Sequence, residues 1–231
     1  MIRTRHSLNL YIFISKCFHL LFDASKIKLH FEYLYWWISF KKEGVLGNEF
    51  YRKFYLDYFQ LDMSFYSGKK ILDIGCGPRG SLEWTEGADC YGLDPLVSKY
   101  KKLGIDKHRM TYVEGCCESI PFEDEYFDII SSFNSLDHVD DLNQSIKEIK
   151  RVLCSGGYFL LITDVHKDPT LCEPSGFDWD IVDAFQPVFT LLEHKEYEGD
   201  KLYASIRAGI PFDHTDSTKR FGVLTALFKK I

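Results

Sequence analysis

Lys70-Ile-Leu-Asp-Ile-Gly-Cys-Gly-Pro-Arg-Gly80 is a short apolar strand running straight into a glycine-rich turn. Glycines at 75, 77 and 80 meet the G-x-G-x-x-G spacing of a nucleotide-binding turn. Missing side chains there let the backbone approach a ligand and let the following helix pack closely. Asp73 sharpens the reading. It stands two residues before the first glycine, where its charge would repel the diphosphate of a nicotinamide or flavin cofactor and would suit a ligand carrying an ammonium group. Glycine spacing alone is also met by ordinary turns, so the downstream sequence carries the rest of the argument.

Beyond Ile71, short apolar runs alternate with helical segments, the pattern of a parallel sheet wound by helices on both faces. Strands are expected at about 70–74, 89–93, 110–114, 127–133 and 158–163. A helix is expected before the fifth, where Leu142, Ile146, Ile149 and Leu153 recur at helical spacing after Asp140 and Asp141, with Gly156 ending the pattern. Runs at 188–194 and 201–207 read as further strands. In the tail, Phe221, Val223, Leu224, Leu227 and Phe228 among basic residues give a short amphipathic helix pattern.

The segments after the glycine turn follow a recognisable order. Tyr91-Gly-Leu-Asp-Pro95 ends a strand on Asp94, about 20 residues after Gly75, the distance at which a carboxylate can bind both ribose hydroxyls. Val113-Glu-Gly-Cys-Cys-Glu-Ser-Ile-Pro-Phe122, Phe127-Asp-Ile-Ile-Ser-Ser-Phe-Asn134, Leu136-Asp-His-Val139 and Arg151-Val-Leu-Cys-Ser-Gly-Gly-Tyr-Phe-Leu-Leu161 come next. In this order, over roughly residues 69–164, the chain resembles the class I S-adenosylmethionine-dependent methyltransferases of the type 11-like kind.

That resemblance implies a Rossmann-like α/β fold: a seven-stranded, mostly parallel sheet with helices on both faces and the last strand antiparallel beside strand five, the runs at 188–194 and 201–207 supplying the closing hairpin. It implies S-adenosylmethionine as cofactor. The loop bearing Gly75, Cys76, Gly77 and Gly80 would hold the methionine moiety, Asp73 its ammonium, Asp94 and Pro95 the ribose, Cys117 and Glu118 the adenine, and Asn134 and Ser135 the methyl region. Cys116 stands where the family usually has an Asp accepting the adenine amino group, which leaves Glu118 or a backbone carbonyl to replace it. Cys154 and Ser155 are further departures.

At 231 residues the chain is long enough for one α/β core with decoration. Three parts are expected: an amino-terminal helical cap over 1–66, the cofactor-binding core over 67–212 and the amphipathic tail over 213–231. The cap carries aromatic residues at helical steps, and Tyr33, Tyr35, Trp36, Trp37 and Phe40 suit either core packing or the wall of an acceptor pocket. A net charge of −6 with dispersed lysines argues against a nucleic-acid groove. Seven cysteines without a C-x-x-C pair fit neither a secreted disulfide framework nor a zinc signature and point to a reducing cytoplasm. The apolar stretch 8–22, interrupted by Lys16 and His19, is too short to span a membrane. A homo-oligomer is compatible with the tail.

Methyl transfer from a sulfonium is an in-line displacement, and positioning the acceptor supplies roughly 7–11 kcal/mol of the acceleration. A hydroxyl acceptor, on a small molecule or glycan, also benefits from a general base. His138 and His166 lie on loops expected at the cleft, with Asp137 and Asp164 nearest in sequence to orient an imidazole. Convergence of these four on a metal is conceivable, but their spacing matches no metal motif, so no metal is expected. Cys172 and Glu173 lie on a loop that can close over an acceptor. Two other readings stand beside methyl transfer: a cofactor-binding module without catalysis, kept open by Cys116, and a nicotinamide oxidoreductase, opposed by Asp73.

Overall fold

The computed structural model describes residues 24–166, 168–170, 173–199, 203–216, 218 and 221–231. The apolar stretch 8–22 and Cys172 lie outside the described residues. Seven strands form one sheet: β1 (Lys70–Ile74), β2 (Asp89–Asp94), β3 (Thr111–Glu114), β4 (Phe127–Phe133), β5 (Leu153–His166), β6 (Phe189–Glu198) and β7 (Phe221–Lys230). Their order across the sheet is β3-β2-β1-β4-β5-β7-β6. The first five pair in parallel, and β7 runs antiparallel to both β5 and β6. The expected Rossmann-like sheet with an antiparallel last strand is therefore present.

Six helices are named here: α1 (Ala24–Glu43), α2 (Tyr51–Tyr55), α3 (Met63–Tyr66), α4 (Val97–Tyr100), α5 (Leu142–Val152) and α6 (Ala204–Ala208). Strand periodicity splits the central apolar runs between two cores. Leu72, Ile74, Ile130, Phe159 and Leu161 face one side, where Ile146, Ile149 and Val152 of α5 cover them. Ile71, Ile129, Leu160 and Ile162 face the other, under Phe54, Tyr55, Phe59 and Tyr66. Residues of the expected cap thus form part of the main core, and α1 lies over the loops. Helix α5 starts where its sequence signal puts it, because the Asp141 carboxylate accepts the Gln144 N–H at 2.9 Å. It stops at Val152, and Gly156 lies beyond it in an irregular stretch of β5, with positive φ.

The structure corrects two expectations in the last third. Among the described residues of the run 201–207 there is no strand: Ala204–Ala208 is helix α6, and the hairpin partner of β6 is β7. The tail is no helix and no appendage, since Phe221–Lys230 is inserted between β5 and β6. Val223, Leu224, Ala226 and Phe228 are all buried, some on each face of the sheet. A strand covered on both faces is apolar at nearly every position, so its sequence shows no two-residue alternation to distinguish it from a helix.

Candidate functional site

The strand order reverses between β1 and β4, and the loops leaving the carboxyl ends of β1 to β4 meet there. They enclose a cleft of about 730 Å³. Of the residues expected at the cofactor, Gly75, Cys76, Asp94, Pro95, Cys117, Glu118, Asn134 and Ser135 line it. Gly77, Gly80 and Asp73 lie behind the wall.

Gly75 has φ +69°, and its amide donates to the Leu93 carbonyl at 2.8 Å. A Cβ there would stand 2.3 Å from Cβ of Ser135, so the turns after β1 and β4 touch only because residue 75 is glycine. Ser135 donates to the Ile74 carbonyl at 2.7 Å, closing the same seam. Gly77, also at positive φ, lies beneath the Trp36 ring, whose Cζ2 would be 3.0 Å from an added Cβ.

The two strand-end carboxylates have different settings. Asp94 Oδ2 accepts from the Gly77 amide at 3.1 Å and Oδ1 from the Leu96 amide at 2.9 Å, fixing the glycine turn against β2. Burial pushes its pKa up to about 7 against the pull of those two donors. Asp73 is buried and accepts from Ser81 and from Ser131, the latter at 2.7 Å. Burial raises its pKa to about 6, opposed by these hydroxyls and that of Tyr55. Its carboxylate braces the loop from below, where the sequence reading set it against an ammonium.

The adenine-side candidates line the cleft and also hold structural contacts. The Glu118 carboxylate accepts the Asp140 and Asp141 amides at 2.7 and 3.2 Å, so it tethers the loop before α5. Cys117 is buried with its thiol pKa pushed up to about 12 by burial. Cys116 is exposed and lines the cleft.

Helix α1 roofs the cleft and is clamped at both ends. Near its start, Lys28 donates to the His138 carbonyl at 2.7 Å and pairs with Asp140 at 2.6 Å. At its end, Glu43 receives both terminal nitrogens of Arg79, at 2.8 and 2.6 Å, and Arg79 also donates to the Gly47 carbonyl. Tyr33, Trp36 and Phe40 pack on a small core around Leu96, Val97 and Tyr100, whereas Tyr35 and Trp36 reach the cleft. Trp37 faces outward. Lys28, Glu43 and Arg79 had no role in the sequence reading, because their partners are remote along the chain.

His138 and Asp164 line the cleft, joined by Glu173. Asp137 and His166 lie buried behind His138. The His138 Nε2 to Asp137 Oδ2 distance is 3.8 Å, and His166 Nε2 stands 3.9 Å from the same oxygen.

A sequence profile described as a methyltransferase domain matches residues 72–161. Tocopherol O-methyltransferase of Arabidopsis thaliana is 31% identical over 121 residues, 48% of this chain and 35% of that protein. Sterol 4-C-methyltransferase strm-1 of Caenorhabditis elegans is 30% identical over 155 residues, 63% of this chain and 40% of its own length. The chain spans less than half the length of these curated relatives. Among solved structures, a geranyl diphosphate methyltransferase with GPP and sinefungin superposes with TM-score 0.53 at 17% identity, covering 74% of this chain and 77% of that one. The cyclase SpnF gives 0.55 at 15% identity, covering 72% and 76%. These superpositions speak for the fold alone. The matched segment, the sheet order and the glycine turn anchored on Asp94 together show that residues 72–161 form a class I S-adenosylmethionine-dependent methyltransferase domain.

Proposed function

We propose that the chain binds S-adenosylmethionine in this cleft and methylates a hydroxyl of a small, largely apolar or sugar-like acceptor. The observation that carries the reading is the shared wall: Gly75, Asp94, Cys116 and Ser135 from four strand ends face the same space as Tyr35, Trp36, Tyr51, Phe54 and Tyr203. Flat rings suit an acceptor with an extended apolar or pyranose face. Relatives named for tocopherol and for a sterol support an acceptor of that class.

The residues present fit the cofactor. A carboxylate has about four lone-pair directions, and the two backbone amides occupy two of those on Asp94, which leaves acceptors for a pair of ribose hydroxyls. Absent Cβ atoms at Gly75 and Gly77 keep the loop close to the cleft. When bound, S-adenosylmethionine supplies an electrophilic methyl group on a sulfonium. Asp94 and the Gly75 loop would hold that cofactor, and His138 on the cleft wall would take up the proton that the acceptor hydroxyl gives up. The α1 roof excludes water and holds the acceptor against the loop ends. A reducing cytoplasm suits the free thiols of Cys76, Cys90, Cys116, Cys117 and Cys154, and among the described residues no helix is long and apolar enough to cross a membrane.

Incubation of the chain with methyl-labelled S-adenosylmethionine and a panel of phenols, sterols and sugars tests the reading. Labelled ether product, absent with Asp94→Ala, is expected. Cys116 on the cleft wall favours one alternative, cofactor binding without transfer, because a thiol is a poorer acceptor than the usual carboxylate. Tight cofactor binding with no product across the panel would establish that alternative.

A further inference from the structure

Methyl transfer leaves Asp137, His166 and Glu173 without a use. Asp137 lies in the single turn Leu136–His138 after β4, fully buried, and neither carboxylate oxygen has a hydrogen-bond partner. An ionised carboxylate so placed costs several kcal/mol unless a cation balances it. His166, 8% exposed at the end of β5, also has a buried Nε2 without a hydrogen-bond partner. That nitrogen is 3.9 Å from Asp137 Oδ2 and 3.9 Å from Glu173 Oε2, while His138 Nε2 is 3.8 Å from Asp137 Oδ2.

The tautomer of His166 follows from its other nitrogen. Nδ1 lies 3.1 Å from the Asp168 carbonyl oxygen, which can only accept, so Nδ1 carries the proton. In a neutral ring the Nε2 lone pair then points toward two carboxylates, a buried conflict that either a proton on Nε2 or a metal ion in its place relieves. We propose that Asp137, His138, His166 and Glu173 form a binding site for a divalent transition metal, with an open coordination position toward the cleft.

The donor set and its geometry favour such an ion. Two imidazoles with carboxylates suit zinc, manganese, iron or cobalt, whereas magnesium and calcium prefer oxygen donors alone. Ligand atoms of Asp137, His138 and Glu173 lie within 4.8 Å of one another. Bonds of about 2.0–2.2 Å put neighbouring ligands about 3.0–3.5 Å apart, so each of these three needs to move by less than about 1 Å; His166 lies outside that group, with its Nε2 3.9 Å from Asp137 Oδ2 and from Glu173 Oε2. Supporting bonds are in place: Asp168 orients His166, and Thr170 Oγ1 donates to Glu173 Oε2 at 2.9 Å. His138 and Glu173 belong to the cleft wall, and Asp137 and His166 stand behind them. Resting on the methyltransferase reading, an acceptor hydroxyl at the open position would lose its proton more readily, with His138 then a ligand in place of a proton acceptor. The site itself does not depend on that reading.

Titration of the chelator-treated full chain with cobalt(II), followed by visible d–d absorption, tests the site. One equivalent binding at about micromolar affinity is expected, weakened at least about tenfold in Asp137→Asn and in His138→Ala. The second variant alters a partly exposed side chain and keeps the test sound if the buried substitution misfolds. No absorption at millimolar cobalt, unchanged titrations in the folded variants, or a near-ultraviolet thiolate band showing cysteine ligation would each overturn the proposal. S-Adenosylmethionine titration of the same samples reports separately on the cofactor cleft.

Discussion

Arg79 and Glu43 form a two-pronged ion pair, Nη1 to Oε2 at 2.8 Å and Nη2 to Oε1 at 2.6 Å, that fastens the roof helix to the glycine turn. Residue 79 belongs to the segment that defines the cofactor loop, and residue 43 is the last of α1. Closure of the roof and shape of the loop are therefore one coupled state.

Glu43→Gln breaks the charge pairing but keeps the side-chain length. Glu43 is partly exposed, so the expected loss is about 1 kcal/mol, roughly a fivefold shift toward the open roof. Amide hydrogen exchange over residues 24–43 should quicken by that factor, and S-adenosylmethionine affinity should fall severalfold. Unaltered exchange in the variant would show that packing of Trp36 and Phe40 suffices to hold α1.

Asp94→Ala removes the acceptor of the Gly77 and Leu96 amides together with the proposed ribose contacts. Two charge-assisted hydrogen bonds lost on the ligand side correspond to about 3 kcal/mol, or about a hundredfold in affinity. Calorimetric titration with S-adenosylmethionine measures this. Binding within threefold of the parent would place the ribose elsewhere.

Asp94 also makes stability depend on pH. Its folded pKa of about 7 lies above that of an unfolded aspartate, so the folded state holds a proton that the unfolded state releases between about pH 4 and 7. This group's contribution to stability therefore falls as pH rises through that window and is level above it. Asp73, raised to about 6, adds in the same direction. Urea unfolding of parent and Asp94→Asn from pH 5 to 8 should show a steeper decline in the parent, by up to about 2.5 kcal/mol over the range. Parallel curves would mean that Asp94 is ionised throughout.

Gly75→Ala and Gly44→Ala separate backbone strain from contact. Both glycines have positive φ, yet an added Cβ at Gly44 meets nothing within 4 Å, whereas at Gly75 it would collide with Ser135. Gly44→Ala should cost about 1 kcal/mol. Gly75→Ala should cost about 2–4 kcal/mol, with loss of cofactor binding. Thermal unfolding of the pair decides it; equal costs would mean that the turn after β4 yields freely.

The parts of the fold legible in the sequence are those written locally. The 70–80 strand and turn, the Asp94 strand end and the capped helix after Asp141 depend on residues a few positions apart, and each stands where expected. The strand Phe221–Lys230 was hidden because burial on both faces erases periodicity. The bracing of Asp73 by Ser131 and the clamping of Lys28 to Asp140 join residues 58 and 112 positions apart, distances at which no local pattern survives. Glu118 shows the same limit from the other side: its place in the motif suggested a position at the cleft, which it lines, but gave no sign of the Asp140 and Asp141 amides that its carboxylate accepts. The cluster at Asp137 was foreseen only in part, since Glu173 joins it by folding back after β5.

The insertion of β7 between β5 and β6 bears on how the chain is made. During synthesis β6 emerges before its only named sheet neighbour, and among the described residues no strand pairing links it to the sheet until residues 221–230 arrive. The parallel half with its glycine turn can assemble early, while β6 must wait with an unpaired edge, a template for wrong pairing. The ribosome therefore delivers the nucleotide-binding half first and the keystone of the sheet last.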